Sequence, residues 1–588
     1  MSGRLGRQNR TALSGLDPKG RLMAGWDEEV DLLVVGTGAA AMSAAIAAAD
    51  AGLDVLVVEG SDKWGGSTAM SGGGCWLPTH PGMKKIGVAD SEEKVLTYLD
   101  ACVGTPEEVG PASSLARREA FVRTAPVVHS WLEGHGLEWK TAKAYPDYYP
   151  DLPGGIAGGR TVEPAPFDVK KLGDWYGHAR ETLPPGLPLF AGDTYLLARS
   201  WSTFSGMIGG ARLVFRALGG AVTARKLSGL GMSLAARLMY IAKVQQGTEV
   251  RLSTPLVDLV VEGGACVGAV VAGPEGERRI RTRRGVHLGA GGFDHNAAWR
   301  AEYQGLSDEQ SSGNPANTGG AIEIGMRHGA DVALMDDAWW GPSVAPTSKG
   351  GPTFIVSERS MPFSIVVDQE GSRYVNESTS YVDFGHAMIE RGLERTNHSW
   401  MILDVRHRRR YLNNAFLMGS KTFFEEGVAV KADTLEELAE KMGVDKATFK
   451  TTIQRFNSFA RDGVDKDFGR GHDAYDTYYG DPTHGPNPNL GEIARGPFVA
   501  IKIVLGDLGT KGGLLTDEHA RVLSTEGEVI DGLYAAGNTS AAVCGRTYPG
   551  AGSTLGPALV FGYLAGMHAA TREDEAPAPE PLPDAAVA

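Results

Sequence analysis

Cysteine is scarce in this chain: four residues in 588, at positions 75, 102, 266 and 544, with no CxxC pair. Such spacing excludes a sequence-local zinc or iron–sulfur site and a small disulfide scaffold, so no metal is expected. So few thiols suit the reducing cytoplasm. Long apolar runs are missing too, and no stretch reaches the ~18 residues that a membrane-spanning helix requires. Positive charge is in deficit. The 57 Lys and Arg face 71 Asp and Glu, a net charge of −14, which speaks against a nucleic-acid groove. The stretch up to about Trp26 is polar and basic without an apolar centre, unlike a secretory signal. Residues 1–27 are expected to be a disordered extension, and 572–588, rich in Pro, Ala and acid, a disordered tail.

Glycine, by contrast, is plentiful at 80 residues, as expected where backbone must closely approach a large cofactor. With 42% apolar residues the chain is long enough for two or more packed domains. Residues 31–35 predict a buried parallel strand, 42–51 an alanine-rich helix and 53–58 the next strand, together a β-α-β unit. Residues 114–135 have a helical pattern and 145–160 form a Pro/Gly/Tyr loop. Residues 253–290 alternate strands and turns and read as a strand set inserted into the first domain. From about Trp339 the character changes to aromatics, mixed helices and short strands, and at Asp507 the chain is expected to return to the first domain.

Between the first strand and helix stands Gly36-Thr37-Gly38-Ala39-Ala40-Ala41, a GxGxxA. Gly36 permits the tight turn, Gly38 lets a pyrophosphate approach, and Ala41 permits close helix–strand packing, with the helix N-terminus facing the phosphates. Glu59 ends the second strand at the spacing needed for a ribose hydroxyl, and its carboxylate disfavours a 2′-phosphate. Near the C-terminus a strand-like run enters a glycine-broken loop in which Tyr548 lies four residues before the Gly552 amide. A phenol and an unhindered N–H can both donate to one oxygen, as in an oxyanion hole. The apolar helix after that loop starts near Leu555, with Pro557 suited to its first turn. Its positive end would favour negative charge on a bound cofactor ring. Gly537, Asn538, Ser553 and Leu555 are the expected cofactor contacts from this region.

Residues 65–73, with Gly65, Gly66, Ser67, Ser71, Gly72 and Gly73, resemble the glycine–serine loop that wraps flavin in the fumarate reductase-like flavoproteins. Some of those relatives attach FAD through a histidine soon after the Gly-Gly. None stands here and His80 comes later, so non-covalent FAD is expected. The predicted fold class is α/β: a discontinuous Rossmann-type FAD-binding domain, 28–338 (with an insertion at about 187–226) and 507–571, and an inserted α+β catalytic domain, 339–506.

Further segments make the resemblance more specific. DLLVVGTGAAAM, GGSTAMSGG, YPDYYP, NESTSYVDFG, LGDLGTKGG, DGLYAAGNTS and GRTYPGAG are similar to the 3-ketosteroid Δ1-dehydrogenases from about residue 29 to 570. That resemblance implies FAD-dependent conversion of a 3-keto-4-ene steroid to the 1,4-diene. It also implies roles: Tyr548 and the Gly552 amide hold the C3 ketone, Tyr381 takes the C2 proton, and Tyr148 assists that base. The chemistry is coherent, because donors that stabilise an enolate make the α-proton removable and let the neighbouring C1–H leave as hydride. A phenol with a pKa of about 10 needs a neighbouring donor to act as a base. Tyr145 and Tyr149 are expected to line the pocket. The same resemblance leaves three other readings: a 4-ene (5α) steroid dehydrogenase, a fumarate reductase-like ene reductase, and a flavin-containing steroid carrier. An external electron acceptor, a quinone or another, is expected. Residues 199–226 interleave Trp201, Phe204, Met207, Ile208, Leu213, Val214 and Phe215 with Arg212, Arg216 and Arg225. Such a basic amphipathic segment suits a peripheral membrane contact, a helix pair packed on the protein, or an oligomer contact.

Overall fold

The computed structural model describes residues 25–180, 188–200, 202–306, 310–412 and 421–571. The disorder expected for 1–24 and 572–588 and the role given to Trp201 lie outside these residues. Residues 25–27 do not belong to a disordered extension. Asp27 N–H donates to the Arg279 carbonyl at 2.9 Å, and the Arg279 guanidinium lies 5.1 Å from the centre of the Trp26 ring.

In chain order, the strands used below are β1 (Glu28–Val35), β2 (Val55–Val58), β3 (Glu249–Arg251), β4 (Gly276–Leu288), β5 (Ala338–Val344), β6 (Phe498–Thr510) and β7 (Val529–Ala535). The helices are α1 (Ala39–Asp50), α2 (Ala191–Ala198), α3 (Phe204–Val222), α4 (Tyr381–Arg391) and α5 (Leu555–Thr571).

The parallel part of the first sheet runs β7-β4-β1-β2-β3, with Arg521–Leu523 antiparallel on the outer edge of β7. β1 and β2 end in continuous apolar runs because helices and loops cover both faces. α1 is buried along almost its whole length on alanine side chains. Small residues let it touch α5 closely: a Cβ at Gly562 would lie 2.2 Å from the Ala40 carbonyl, and one at Gly566 2.5 Å from that of Ala44. α1 also starts three residues before the sequence pattern suggests, since the Ala39–Ala41 run of the fingerprint is itself its first turn. The block 253–290 is only partly an insert. Leu256–Glu262 and Ala265–Gly273 form an antiparallel appendage, but β4 continues past them to pair with β1 at the sheet centre.

The second sheet is antiparallel, in the order Thr353–Phe354, β5, β6, Ser399–Leu403, Ser364–Val367, with Ala429–Ala432 also on β6. The expected boundary between 506 and 507 falls inside β6, where Trp340 pairs with Asp507 and Ala338 with Thr510. Within the glycine-rich LGDLGT, Gly506 and Gly509 sit in a buried ladder. α4 rests on β5, where a Cβ at Gly385 would meet that of Trp340 at 2.3 Å. The mouth of the parallel sheet and the face of the antiparallel one therefore border one cleft.

Candidate active site

Parallel strands leave their binding crevice beyond the carboxyl ends, where connections diverge to either side. Here that point lies between β1 and β4. Gly36 turns there with φ +104°, and a Cβ on it would come within 2.3 Å of the Gly289 carbonyl, so no other residue fits. A cavity of about 860 Å³ opens from this floor. Gly36, Gly38, Ala39, Ala40, Glu59, Gly66, Ser67, Ser71, Gly72, Gly73, Gly537, Asn538 and Leu555 all line it. Gly65 and Ser553 do not. Gly65 caps the short helix Gly66–Met70, its N–H donating to Thr37 Oγ1 at 2.9 Å. Ser553 Oγ is turned to the Gly550 carbonyl at 2.7 Å and fixes the loop from behind. The Glu59 carboxylate accepts from Thr37 Oγ1 at 2.6 Å and Ser61 N–H at 3.0 Å, which leaves each oxygen a second lone pair. Burial pushes its pKa up.

Three tyrosines named from the sequence converge at one end of the cavity. Ring centres lie 5.0 Å apart for Tyr381 and Tyr548, 5.2 Å for Tyr148 and Tyr548, and 5.8 Å for Tyr148 and Tyr381. Tyr381 is the first residue of α4, where unpaired N–H groups favour nearby negative charge. Burial pushes the Tyr381 phenol well above the usual range, and Tyr548 and Tyr148 beside it add to that push. Burial also raises Tyr548, but hydrogen bonds from Tyr381, Thr554 and the Gly552 amide offset part of the rise. The amide and the phenol oxygen thus meet at one point. Gly552 has φ +91°, and a Cβ there would lie 2.2 Å from the Gly74 carbonyl.

The loop carrying Tyr148 is anchored by its neighbours. Asp147 accepts from Trp76 Nε1 at 2.9 Å and Arg160 Nη1 at 2.7 Å. Burial raises Asp147 to about 6 in spite of Arg160. Tyr145 lines the cavity as expected, with its hydroxyl bonded to that of Tyr479. Tyr149 does not line it; its hydroxyl donates to Asp383 Oδ1 at 2.9 Å. His80, an ordinary loop residue in the sequence reading, is buried outside the cleft and stacked on His129 at 4.7 Å.

Several lining residues escape the sequence motifs. Trp339 stands edge-on to Tyr548 at 5.4 Å, and Phe354 edge-on to Tyr381 at 5.2 Å. Tyr478 stacks on Tyr145 at 4.6 Å, and Tyr475 packs behind Tyr148 at 4.3 Å. The tyrosine-rich AYDTYYG around 475–479 is the signal that could have flagged them. Asn317, also in the lining, donates to Ser67 Oγ and to buried Asp294 Oδ1, each at 3.0 Å. Nothing in its local sequence distinguishes it.

Charge completes the description. Among the described residues, the cavity lining holds no Lys, Arg or His, and its only acids are Glu59 and Glu163. A long glycine- and amide-rich floor beside a helix N-terminus fits a dinucleotide bound through backbone N–H groups. The uncharged aromatic end fits a neutral, flat, apolar molecule.

Known proteins resemble this chain. Residues 31–555 match the FAD binding domain family. The chain is 44% identical to the 3-oxosteroid 1-dehydrogenase of Mycolicibacterium smegmatis, over 92% of this chain and 97% of that one. The structure of the 3-ketosteroid delta1-dehydrogenase from Sterolibacterium denitrificans, in complex with 1,4-androstadiene-3,17-dione, superposes with a TM-score of 0.85 and 36% identity, covering 93% of this chain and 100% of that one. The 3-ketosteroid-delta4-(5alpha)-dehydrogenase from Rhodococcus jostii RHA1 reaches a TM-score of 0.64 at 23% identity, over 93% of this chain and 98% of that one, a likeness of fold alone. This chain belongs to the 3-oxosteroid 1-dehydrogenase family of FAD-binding flavoproteins.

Proposed function

We propose that the chain oxidises 3-keto-4-ene steroids to 3-keto-1,4-dienes. The observation that carries this reading is the convergence of Tyr148, Tyr381, Tyr548 and the Gly552 amide at the aromatic, uncharged end of a glycine-floored cleft. The Tyr548 hydroxyl and Gly552 N–H donate to the C3 oxygen, so negative charge gathers there as the C2 proton leaves. Tyr381 takes that proton, and the N-terminus of α4 lowers the barrier to the phenolate form. Tyr148, edge-on to Tyr381, holds the base in place. When bound, FAD supplies at N5 the acceptor for the hydride that leaves C1.

Gly36, Gly38, Ala39 and Ala40 would hold the pyrophosphate, Glu59 the ribose, and Gly66 to Gly73 together with Gly537, Asn538 and Leu555 the flavin end. We read the attachment as non-covalent, since no histidine stands in the glycine–serine loop 65–73. We read residues 28–338 and 507–571 as a discontinuous Rossmann-type domain around the catalytic part, the exact hand-over lying at the end of β6. Electrons then pass to an external acceptor, a quinone or another.

A fumarate reductase-like activity would need cations for two carboxylates, and the lining offers none. The α3 face supports a peripheral membrane contact, where apolar steroids partition: Phe204 is 77% exposed, Phe215 74% and Val222 86%. Among the described residues no helix is long and apolar enough to cross a membrane. A steroid panel under one artificial acceptor tests the reading. Turnover of 4-ene-3-ketones to 1,4-dienes supports it, and a 4-ene product from a 5α-saturated substrate would favour the 5α-dehydrogenase instead.

A further inference from the structure

The three tyrosine-bearing segments are joined to one another by polar links that none of the catalytic roles uses. Tyr148 N–H donates to the Pro549 carbonyl at 2.9 Å, and Tyr98 Oη donates to the same carbonyl at 2.6 Å while accepting from Tyr149 N–H at 3.2 Å. These bonds tie the Tyr148 loop to the Tyr548 loop. On the opposite side, Lys511 Nζ donates to the Arg546 carbonyl, two residues before Tyr548, and to Asp337 Oδ2 at 3.0 Å. Asp337 Oδ1 meets His386 Nε2 at 3.0 Å, and His386 lies on α4. Lys511 and Asp337 are both buried; against the upward push of burial, Lys511 and His386 hold the Asp337 carboxyl down at about 2. The Tyr548 loop is thus fastened to the helix that starts with Tyr381.

The third side of this triangle is a single hydrogen bond. Tyr149 Oη donates to Asp383 Oδ1 at 2.9 Å, joining the residue after Tyr148 to the residue two after Tyr381. Tyr149 sits in the distinctive YPDYY segment and Asp383 in YVDFG, yet neither lines the cleft. We propose that Tyr149 and Asp383 are positioning residues, which brace the Tyr148 loop against the head of α4 and so set the Tyr148 and Tyr381 hydroxyls relative to the C2 proton. The inference rests on the reading of Tyr381 as base and Tyr148 as its partner.

Its physical basis is the distance sensitivity of proton abstraction. A shift of about 1 Å in a base can cost about a hundredfold in rate. The Tyr148 loop turns between Pro146 and Pro150 outside helix and strand, with an isolated bridge between Asp147 and Gly550 and the Asp147 bonds to Trp76 and Arg160 as its other anchors. The link from Tyr148 N–H fixes that loop toward Tyr548, the Tyr148 ring packs edge-on against Tyr381, and Tyr149 adds a side-chain hydrogen bond to α4. Removing the hydroxyl should free the hinge while the aromatic packing of Tyr148 on Tyr475 and Tyr548 persists.

The test uses the flavin-loaded holoenzyme with androst-4-ene-3,17-dione, and the variants Tyr149→Phe, Asp383→Ala, Asp383→Asn and Tyr148→Phe. Each is followed by anaerobic flavin reduction, KM, FAD content, and separate deuterium isotope effects at C1 and C2. The expected result is a ten- to hundredfold slower reduction in Tyr149→Phe and Asp383→Ala, at roughly unchanged KM and FAD content. The C2 isotope effect should rise and the C1 effect should not. Asp383→Asn keeps an acceptor oxygen and should retain most of the rate. Wild-type rates in Tyr149→Phe while Tyr148→Phe is slow would overturn the brace alone. So would Asp383→Asn as slow as Asp383→Ala, or a rate loss accompanied by loss of FAD in both Tyr149→Phe and Asp383→Asn. A Tyr148→Phe enzyme at full rate would remove the underlying reading, and the brace with it.

Discussion

At Gly552 a backbone conformation and a chemical role coincide. The φ of +91° and the 2.2 Å approach to Gly74 leave no room for a side chain, and the amide so placed lies beside the Tyr548 phenol. Gly552→Ala should therefore displace the amide and slow turnover by about a hundredfold or more, as loss of one oxyanion donor does. Steady-state rates beside FAD content check this; a near-normal rate would remove the amide from the mechanism. Tyr548→Phe and Tyr381→Phe should each cut turnover by about two or more orders of magnitude with FAD retained. The pH profile has a defined sign. Burial holds the Tyr381 phenol above its free value of about 10, so the phenolate fraction still grows across the whole accessible range. Flavin reduction measured by stopped flow should rise by nearly tenfold per unit between about pH 7 and 9. A profile flat over that interval would exclude a phenol as the base. Tyr548 and Gly552 were legible because the phenol and the glycine stand in one short loop, whereas Tyr381 was reached only through the family resemblance. Tyr149 was not legible: its position predicts proximity to the cleft, and only the fold reveals that its hydroxyl turns away to Asp383.

At the scale of elements, α3 is the feature that packing within one chain does not explain. Gly206 and Gly209 face α2, where a Cβ would lie 2.4 Å from the Arg199 carbonyl and 3.0 Å from Leu196, so the glycines seat α3 on its neighbour rather than merely weakening it. The remaining face carries Phe204, Met207, Val214, Phe215, Leu218 and Val222 in the open, with Arg212 beside them. Each Phe moved from water into the interfacial region contributes about 1.5–3 kcal/mol. The pair Phe204→Asp/Phe215→Asp should then lower co-sedimentation with phosphatidylglycerol vesicles at least tenfold while leaving steroid oxidation intact. Unchanged sedimentation would discard the membrane contact. The sequence marked this helix through its apolar–basic interleaving. The expected domain boundary cuts through β6, because a buried glycine-rich strand has no periodic signature in so short a run.

For the whole molecule, the argument is one of division of labour. A parallel sheet supplies a crevice lined by backbone donors, and an antiparallel sheet carries α4 and the aromatic wall to its edge. The β-α-β start, the glycine fingerprint and the closing helix α5 announce the first half in sequence, since each depends on local spacing. The second half depends on long-range pairing of β5, β6 and four short strands, which local patterns do not encode. Identity of 44% over 97% of a 3-oxosteroid 1-dehydrogenase ties both halves to one chemistry. The most direct test of that chemistry is anaerobic mixing of the holoenzyme with one equivalent of androst-4-ene-3,17-dione, followed by flavin absorbance and product analysis. Bleaching of the oxidised flavin band with stoichiometric 1,4-diene is the expected result; steroid binding without bleaching, or bleaching that leaves the C1–C2 bond saturated, would contradict it.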